Sequence, residues 1–588
     1  ERARRVLNEV DDIVADVASR DADISGQTRL GVIGTTARWL VPQMLGRLST
    51  EHPGVRTVIQ EGATSTLIPN VLSGHLNAAL VHLPIDDPEL VIEPLFAEDL
   101  FLLASSSHPL AAHETIPLRD LDQVPLLLPP MGSALRKVLE CAAAAADITP
   151  KEFPMNMPGG FNANLATTAH DPLNARALVL DDGKTQVVWV VIDNLGVPKK
   201  VVAEAKELAA KATGIPVEHM LVSGTHTHSG VNPADEPSAA DAKAVAYRQV
   251  MLEGISQAII RAHAALRPAA VGAAARPLTH EVFNRRWYLK PGKMPPNPFG
   301  EYDQVKMNPG ISPDVLDRPA GPTDPDISVL SVVDAKRKPL ALFASYSLHY
   351  VGGTPAGQVS ADYYGEFARL MPSRLGAGEG FVAAMSNGTS GDINNVPFLV
   401  GRPPRAPFEQ IRIVAGEAAD VAWKAYRDIV KHEKDVVLGV RQRLVTLKYR
   451  KPTKEQLLYA QAILAIKDKE AIARLPRLAQ DYAARTLSAA NRPEETVDVI
   501  LQTIRVGDAV LCAVPFETFA ETGLELKQKS PFGRTIVIGI ANGKHGYLPT
   551  PRHHELGGYE TWLGTNQVQK DASEIVVRNL VEMMGELR

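Results

Sequence analysis

The sequence predicts an α/β chain in two unlike parts: a partial lobe of strand–helix repeats over residues 1–146, then a large mixed α/β domain over 147–588. Three observations predict it. Between residues 28 and 106, short apolar runs alternate with tracts of helical period. After residue 147 the apolar runs come as pairs joined by tight turns, the mark of hairpins. Between the two textures stands the alanine run "CAAAAAD", residues 141–147.

In the first part, "TRLGVIG" reads as a buried strand, residues 36–54 as a helix, "VRTVIQEG" as a strand and "TSTLIPNVLSGHL" as a helix. "NAALVHL" and "EDLFLLASS" follow as strands, and residues 1–22 form an amphipathic helix. Strand then helix, repeated, implies right-handed crossovers and a parallel sheet. Thr35, Thr36, Thr64 and Ser65 fall at helix starts, where they serve either as ligand contacts or as caps.

In the second part, "ARALVLDDGKTQVVWVVID" is a hairpin with an Asp-Gly turn, and residues 199–214 form a helix ended by Gly214. "EHMLVSG" is a strand and residues 239–266 a long helix. "ISVLSVVDAKRKPLALFASYSLHY" is a second hairpin. Helical tracts fill most of 407–431 and 453–489, and "IVIGIANGKHGYLPT" is a late strand with a loop.

The totals narrow the function classes. At 588 residues the length suggests roughly two to four domains. With 62 Lys+Arg against 67 Asp+Glu there is no overall basic footprint for nucleic acid. Only Cys141 and Cys512 are present, which excludes a disulfide framework and argues against a cysteine-built zinc site. No apolar run approaches the roughly 20 residues of a membrane helix. The opening helix is not a signal peptide, so no compartment follows from the sequence.

The chemistry-bearing residues recur at strand ends. "LVSGTHTHSG" puts His226 and His228 on one loop after a strand. The pair alone fits a metal or proton-transfer centre, or a plain polar loop. His349 ends a strand that breaks into Gly-Gly, Glu517 follows an apolar strand, and Tyr547 lies in a glycine-rich loop. Each has a bland account as a packed or helix-capping group, but strand exits of one sheet converge in space.

Residues 28–148 resemble the effector-binding domain of LysR-type transcriptional regulators, through "RLGVIGTTARWLVPQMLGRLSTEHPGV", "SGHLNAALVHLP" and "EPLFAEDLFLLASSSHPLA". The resemblance implies a partial periplasmic-binding-protein-like lobe preceded by a linker helix. The pattern's helix-turn-helix and second lobe are missing, so this part is expected to sense nothing.

Residues 147–588 resemble the catalytic domain of the neutral/alkaline non-lysosomal ceramidases. The matching motifs include "SGTHTHSG", "FNRRW", "SLHYVGG", "SADYYGEFA", "SNGTSGDINN", "PFETFAETG", "ANGKHGYLPT" and "GGYE". The resemblance implies a zinc hydrolase domain cleaving an N-acyl amide, with Zn²⁺ held by His226, His349, Glu517 and Tyr547. It further implies His228 as base or proton shuttle, and Arg285 and Tyr559 as oxyanion donors. Arg286 is expected to be a surface ion-pair arginine. Two positions depart from the family: Asn394 stands where ceramidases carry a serine, and Lys544 where they carry the first of two tyrosines.

The first reading is therefore a zinc-dependent amidohydrolase acting on a small-molecule or lipid amide, with no nucleic-acid partner and no membrane span. The alternatives are a ligand-responsive LysR-type regulator fragment, or an accidental fusion of the two pieces. The exported habit of the hydrolases and the cytoplasmic habit of the regulators leave localisation open, as is the oligomeric state.

Overall fold

In the computed structural model the chain divides into two compact units, Glu1–Lys137 and Val138–Arg588. The structure describes residues 24–82, then 85, 87, 89–96, 105, 108 and 110. From 140 onward it describes all but 159–163, 232, 234–237, 239 and 240. The expected helix over 1–22 and, apart from residue 105, the expected strand over 98–106 lie outside the described residues.

The first unit runs β1 (Ser25–Val32), α1 (Gly34–Glu51), β2 (Gly54–Glu61), α2 (Thr64–Leu72) and β3 (Ala78–Leu80). The sheet order is β2-β1-β3, all parallel, as alternating strands and helices require. Ile33, Leu67 and Leu76 form its small core. The N-caps of the two helices are Ile33 and Ala63, neither with a side-chain cap bond. Thr36 is the third residue of its helix and Thr64 the first of its own, so both lie in the first turn instead of capping it.

The second unit is mixed α/β and is built on two main sheets, with smaller two- and three-stranded ones beside them. The larger main sheet holds β4 (Glu140–Asp147), β5 (Asn174–Asp181), β6 (Gln186–Ile192) and β7 (Met220–Gly224). It continues with β8 (Arg267–Pro277), β9 (Asp326–Asp334), β10 (Pro339–Tyr346) and β11 (Val382–Asn387). Its order is β7-β6-β5-β4-β8-β9-β10-β11, antiparallel within and parallel at each end pair. The smaller main sheet holds β12 (Leu438–Lys448), β13 (Thr496–Val506), β14 (Ala509–Ala513) and β15 (Arg534–Ile538) in that order.

Side-chain alternation explains why these strands are apolar on both faces. In β6, Val187, Trp189 and Val191 face the second sheet, where they meet Ile504, Leu511 and Ile536. Val188, Val190 and Ile192 face helices α3 (Lys199–Thr213) and α4 (Ala242–Ala264). The other half of the large sheet is covered by α5 (Asp362–Leu375) and α6 (Glu409–Arg427). The outer face of the small sheet is covered by α7 (Ala572–Glu586). The result is four layers, helix–sheet–sheet–helix. The tract over 453–489 forms three helices, Lys454–Ala465, Lys469–Ala473 and Ala479–Asn491.

The alanine run is β4, inside the large sheet. It pairs with β5 from Glu140↔Asp181 to Asp147↔Asn174, and its start pairs with β8. The boundary between the units thus falls at Lys137/Val138, ahead of the boundary at 146/147 expected from sequence. Alanine has little strand preference of its own, so the neighbours on each side decide. Cys141 faces the second sheet and Ala146 the helices, both small enough for the layers to close. Burial pushes the Cys141 thiol well up, and Cys512, between the small sheet and α7, up to about 12.

The ends of both sheets are stitched at one place. Gly224 N–H donates to Ile540 O at 3.1 Å, and Gly539 N–H to Asn387 O at 3.0 Å. Asn542 N–H donates to Val222 O at 2.7 Å. A Cβ on Gly539 would stand 2.6 Å from Gly388 O, so only glycine allows this crossing.

A chain beginning at Val138 keeps all eight strands of the large sheet, whereas one beginning at Ile148 loses β4 and leaves β5 and β8 without their shared neighbour. Expression of both should give a soluble, cooperatively melting protein only for the first; equal melting temperatures would contradict this role for β4.

Candidate metal centre

Three imidazoles converge where the strand exits meet. Ring nitrogens of His226, His228 and His349 all lie within 4.8 Å of one another. His226 sits just past β7 in the left-handed region at φ 71°, a conformation that costs energy for a side-chain-bearing residue. It is held there by its own N–H donating to Asn194 O at 2.8 Å, and its ring Nδ1–H donates to Leu195 O at 2.7 Å. His349, past β10, donates Nδ1–H to Ser390 O at 3.0 Å.

Those two carbonyls can only accept, so both rings carry a proton on Nδ1 and turn Nε2 inward. His226 Nε2 stands 3.3 Å from Glu517 Oε2, a spacing that either an Nε2 proton or a shared cation bridges. Glu517 Oε2 is buried and faces His226 Nε2. His228 Nε2 lies 3.3 Å from His226 Nε2, so with neutral rings at most one proton is shared among three facing lone pairs. Buried acceptors turned on one another are unfavourable unless a cation sits among them. The residues therefore fit a metal ion, and nitrogen and carboxylate donors suit zinc.

Glu517 and Tyr547 are brought side by side by a short parallel pairing, Glu517↔Tyr547, of two-residue strands from different loops. A Cβ on Gly391 would stand 2.5 Å from Glu517 O, which explains the glycine in "TSGD". Arg285 Nη2 donates to Tyr547 Oη at 3.1 Å and to Gly391 O at 2.7 Å. The Tyr559 ring lies 5.9 Å from that of Tyr547.

Charge is managed from behind by Glu560, wholly buried, which accepts from Arg285 Nε at 3.1 Å and Arg286 Nη1 at 2.7 Å. Arg286, expected at the surface, is instead fully buried. It belongs to this ion triad, and the only sequence trace of its partner was the final letter of "GGYE". Burial works against the Arg285 cation, but Tyr547 and Glu560 outweigh it and keep it charged. Burial likewise opposes the Glu517 anion, while His226, His349 and Lys544 hold its carboxyl well below the ordinary range. Burial, His226 and cations nearby lower His228, against the pull of Glu517. Tyr547 is raised well above its ordinary value, by burial first and Glu517 next.

Asn394 does not touch the imidazole cluster. It pairs across strands with Phe283 and donates Nδ2–H to Asn308 Oδ1 at 2.6 Å. Asn308, which sequence reasoning missed, in turn donates its N–H to Arg285 O at 2.8 Å. Tyr350, also missed, stacks on His228 with ring centres 3.9 Å apart. Behind α5 lies a cavity of about 400 Å³ lined by Asp171, Arg176, Asp362 and Phe408, and none of the three clustered histidines borders it.

Comparison with known proteins finds two families, whose matches overlap at residues 140–158. Residues 140–401 match the family described as neutral/alkaline non-lysosomal ceramidase, N-terminal, and residues 21–158 match the LysR substrate binding domain. The chain resembles two families. In fold, the neutral ceramidase from Pseudomonas aeruginosa superposes with a TM-score of 0.58 at 18% identity, over 76% of this chain and 74% of that one. A structure titled "Ceramidase complexed with C2" gives the same score and identity over 77% of this chain and 75% of that one. On the LysR side, a probable hydrogen peroxide-inducible genes activator from Streptomyces viridosporus is 34% identical over 135 residues. The regulator BbuR from Bordetella bronchiseptica is 28% identical over 143 residues. These alignments cover 23% and 24% of this chain, and it spans only 43% and 44% of those regulators. Every residue of the candidate centre lies in the ceramidase-like unit.

The loop carrying Lys544 and Tyr547 is braced by Lys206 of α3. Its Nζ donates to Asn542 Oδ1 at 2.7 Å, and Asn542 Nδ2–H donates to Gln502 Oε1 at 2.7 Å. Burial pulls the Lys206 pKa down to about 7 from its ordinary 10.5. The unfolded chain therefore takes up this proton at higher pH than the folded one, so stability falls as pH drops from about 10 to about 7 and is level below. In Lys206→Met the melting temperature should gain on that of the parent as pH is lowered from 9 to 7; a constant difference would remove Lys206 as the cause.

Proposed function

We propose that the ceramidase-like unit is a zinc-dependent hydrolase of an N-acyl amide bond. The observation that carries the reading is the convergence on Glu517 Oε2 and on one another of imidazoles whose Nε2 atoms are turned inward by bonds at Nδ1, with the ceramidase match over residues 140–401 as independent support. His226, His349, Glu517 and Tyr547 would hold the metal. Tyr547 is the most dependent on it, since burial and Glu517 keep its proton on. When bound, zinc supplies a Lewis acid that brings the pKa of water toward about 7.

The chain's own groups account for the rest. His228, lowered by burial and so neutral at working pH, accepts a proton from the attacking water and returns it to the leaving amine. Arg285 stays cationic and Tyr559 carries a phenol, and both donate to the oxyanion as it forms. The Glu560 triad keeps the Arg285 guanidinium turned toward Tyr547 rather than toward solvent.

A second division of labour is favoured by one distance: the 3.3 Å between His226 Nε2 and His228 Nε2 also suits two ligands of one ion. The groups named here all belong to the second unit. The first unit is either a regulator fragment or a fusion remnant.

The substrate is inferred from Asn394 and Lys544. By the resemblance to ceramidases, Asn394 stands in place of a hydroxyl, and the half-buried Lys544, near Glu517, in place of an aromatic. A site built for one polar group can reject another by roughly 10⁴-fold when a partner is left unpaired. These residues favour a smaller or more polar, even anionic, acyl amide over a long-chain lipid amide.

Elemental analysis should find one zinc per chain in the unmutated protein and little in His226→Ala. His228→Ala should keep the metal and lose turnover by about 10²-fold or more; equal zinc loss in the two variants would make His228 a ligand instead. On substrate, long-chain ceramide should be cleaved poorly and better after Asn394→Ser. Efficient cleavage by the unmutated protein would overturn the polar-substrate reading.

A further inference from the structure

A buried segment that carries none of the candidate ligands joins the two loops that carry the histidines. Ser360, Ala361 and Asp362 lie at the start of α5, all buried. On one side, Thr227 Oγ1–H donates to Ser360 O at 2.8 Å and Ser360 N–H donates to Ser229 O at 2.9 Å. These two bonds flank His228. On the other side, the Asp362 carboxylate accepts Val351 N–H at 3.0 Å and Gly352 N–H at 2.9 Å, just beyond His349 and Tyr350. From behind, Asp171 accepts Ser360 Oγ–H at 2.6 Å and Ala361 N–H at 2.7 Å.

Two features mark the segment as more than ordinary scaffolding. Asp362 adopts φ 55°, in the left-handed region, so its backbone conformation is itself strained. Burial raises its carboxyl to about 6, with Asp171 adding to the rise and three backbone N–H groups opposing it. A folded-state pKa raised this way means the ionised side chain weakens the fold at neutral pH, relative to a neutral group of the same size. Both costs are borne by a residue whose bonds go to one histidine loop, and whose neighbour two positions back bonds to the other. The two loops meet at the stack of Tyr350 on His228 and the 4.5 Å approach of the His226 and His349 rings.

We propose that Ser360–Ala361–Asp362 is a clamp that fixes the spacing of the two histidine loops, with Asp362 as a positioning residue for His226, His228 and His349. Metal ligands must stand within about 0.2 Å of their places, so slack between the loops reads out as lost affinity. Outer groups that orient ligands typically change affinity by about 10–100-fold. The consequence for metal rests on the zinc reading above; the mechanical coupling of the loops does not.

The test uses the full chain with Asp362→Ala, Asp362→Asn and Thr227→Val, each alone, and Asp362→Ala combined with Thr227→Val. Amide hydrogen exchange on metal-free protein should quicken in Asp362→Ala at 349–353 and also at 225–230, to which Asp362 has no bond. Unchanged exchange at 225–230 would overturn the clamp. Zinc affinity, by chelator competition, should fall about tenfold or more in Asp362→Ala and less in Asp362→Asn. The double variant should lose no more than the worse single one, and additive losses would make the two contacts independent supports. Turnover should lose kcat with KM unchanged, and Asp362→Asn should recover part of it; a loss confined to KM would count against positioning. If Asp362→Ala does not fold, Asp362→Asn with Thr227→Val gives the same comparisons. An unmutated protein that takes up no zinc would defeat the metal reading, while exchange at 225–230 would still decide the clamp.

Discussion

The stitch between the two sheets of the second unit is the constraint from which the candidate centre follows. Glu517 and Tyr547 leave the small sheet, and His226 and His349 leave the large one. They face each other only because backbone N–H groups of Gly224, Gly539 and Asn542 bond across to the opposite sheet's exits. Those bonds run between backbone groups, and at Gly539 a side chain would not fit, so the juxtaposition belongs to the backbone and not to rotamers. A site on such a base is preorganised: the cost of bringing like-natured acceptors together is met during folding by the apolar layers between the sheets.

What the stitch gathers is an imbalance of charge and lone pairs. On one side stand Glu517 and inward-turned imidazole nitrogens, and on the other Arg285 and Lys544. The Arg285–Glu560–Arg286 triad lies entirely out of water, where removing one member leaves an uncompensated charge. The triad and the two carbonyls that orient the histidines contribute little to a list of catalytic groups, yet they decide tautomer and direction.

Much of this was legible in the sequence, and the exceptions share a cause. His226, His349, Glu517 and Tyr547 could be singled out as candidates because each stands at the end of an apolar run, with glycine or proline close by, where a strand must exit. The parallel sheet of the first unit and the hairpins of the second were readable from period alone. Leu195 and Ser390 were not, since they act through carbonyls that any residue provides. β4 was hidden because five alanines state no preference and only the strands on each side make them extended. Arg286 read as a surface charge because its partner lies 274 residues away. Asn394 was picked as a departure from a motif, but its hydrogen bond to Asn308 is a tertiary fact that no local pattern carries.

The two cysteines have a practical consequence. Both thiols are buried in apolar clusters and held protonated, one between the sheets and the other against α7. A protonated, inaccessible thiol reacts slowly with alkylating reagents and offers no thiolate to a soft metal. The folded chain is therefore chemically quiet toward maleimides, and a single cysteine placed on the surface becomes a clean attachment point for a spin label or fluorophore. Dye uptake by the parent chain itself then reports unfolding, because only the loss of the layered core exposes Cys141 and Cys512.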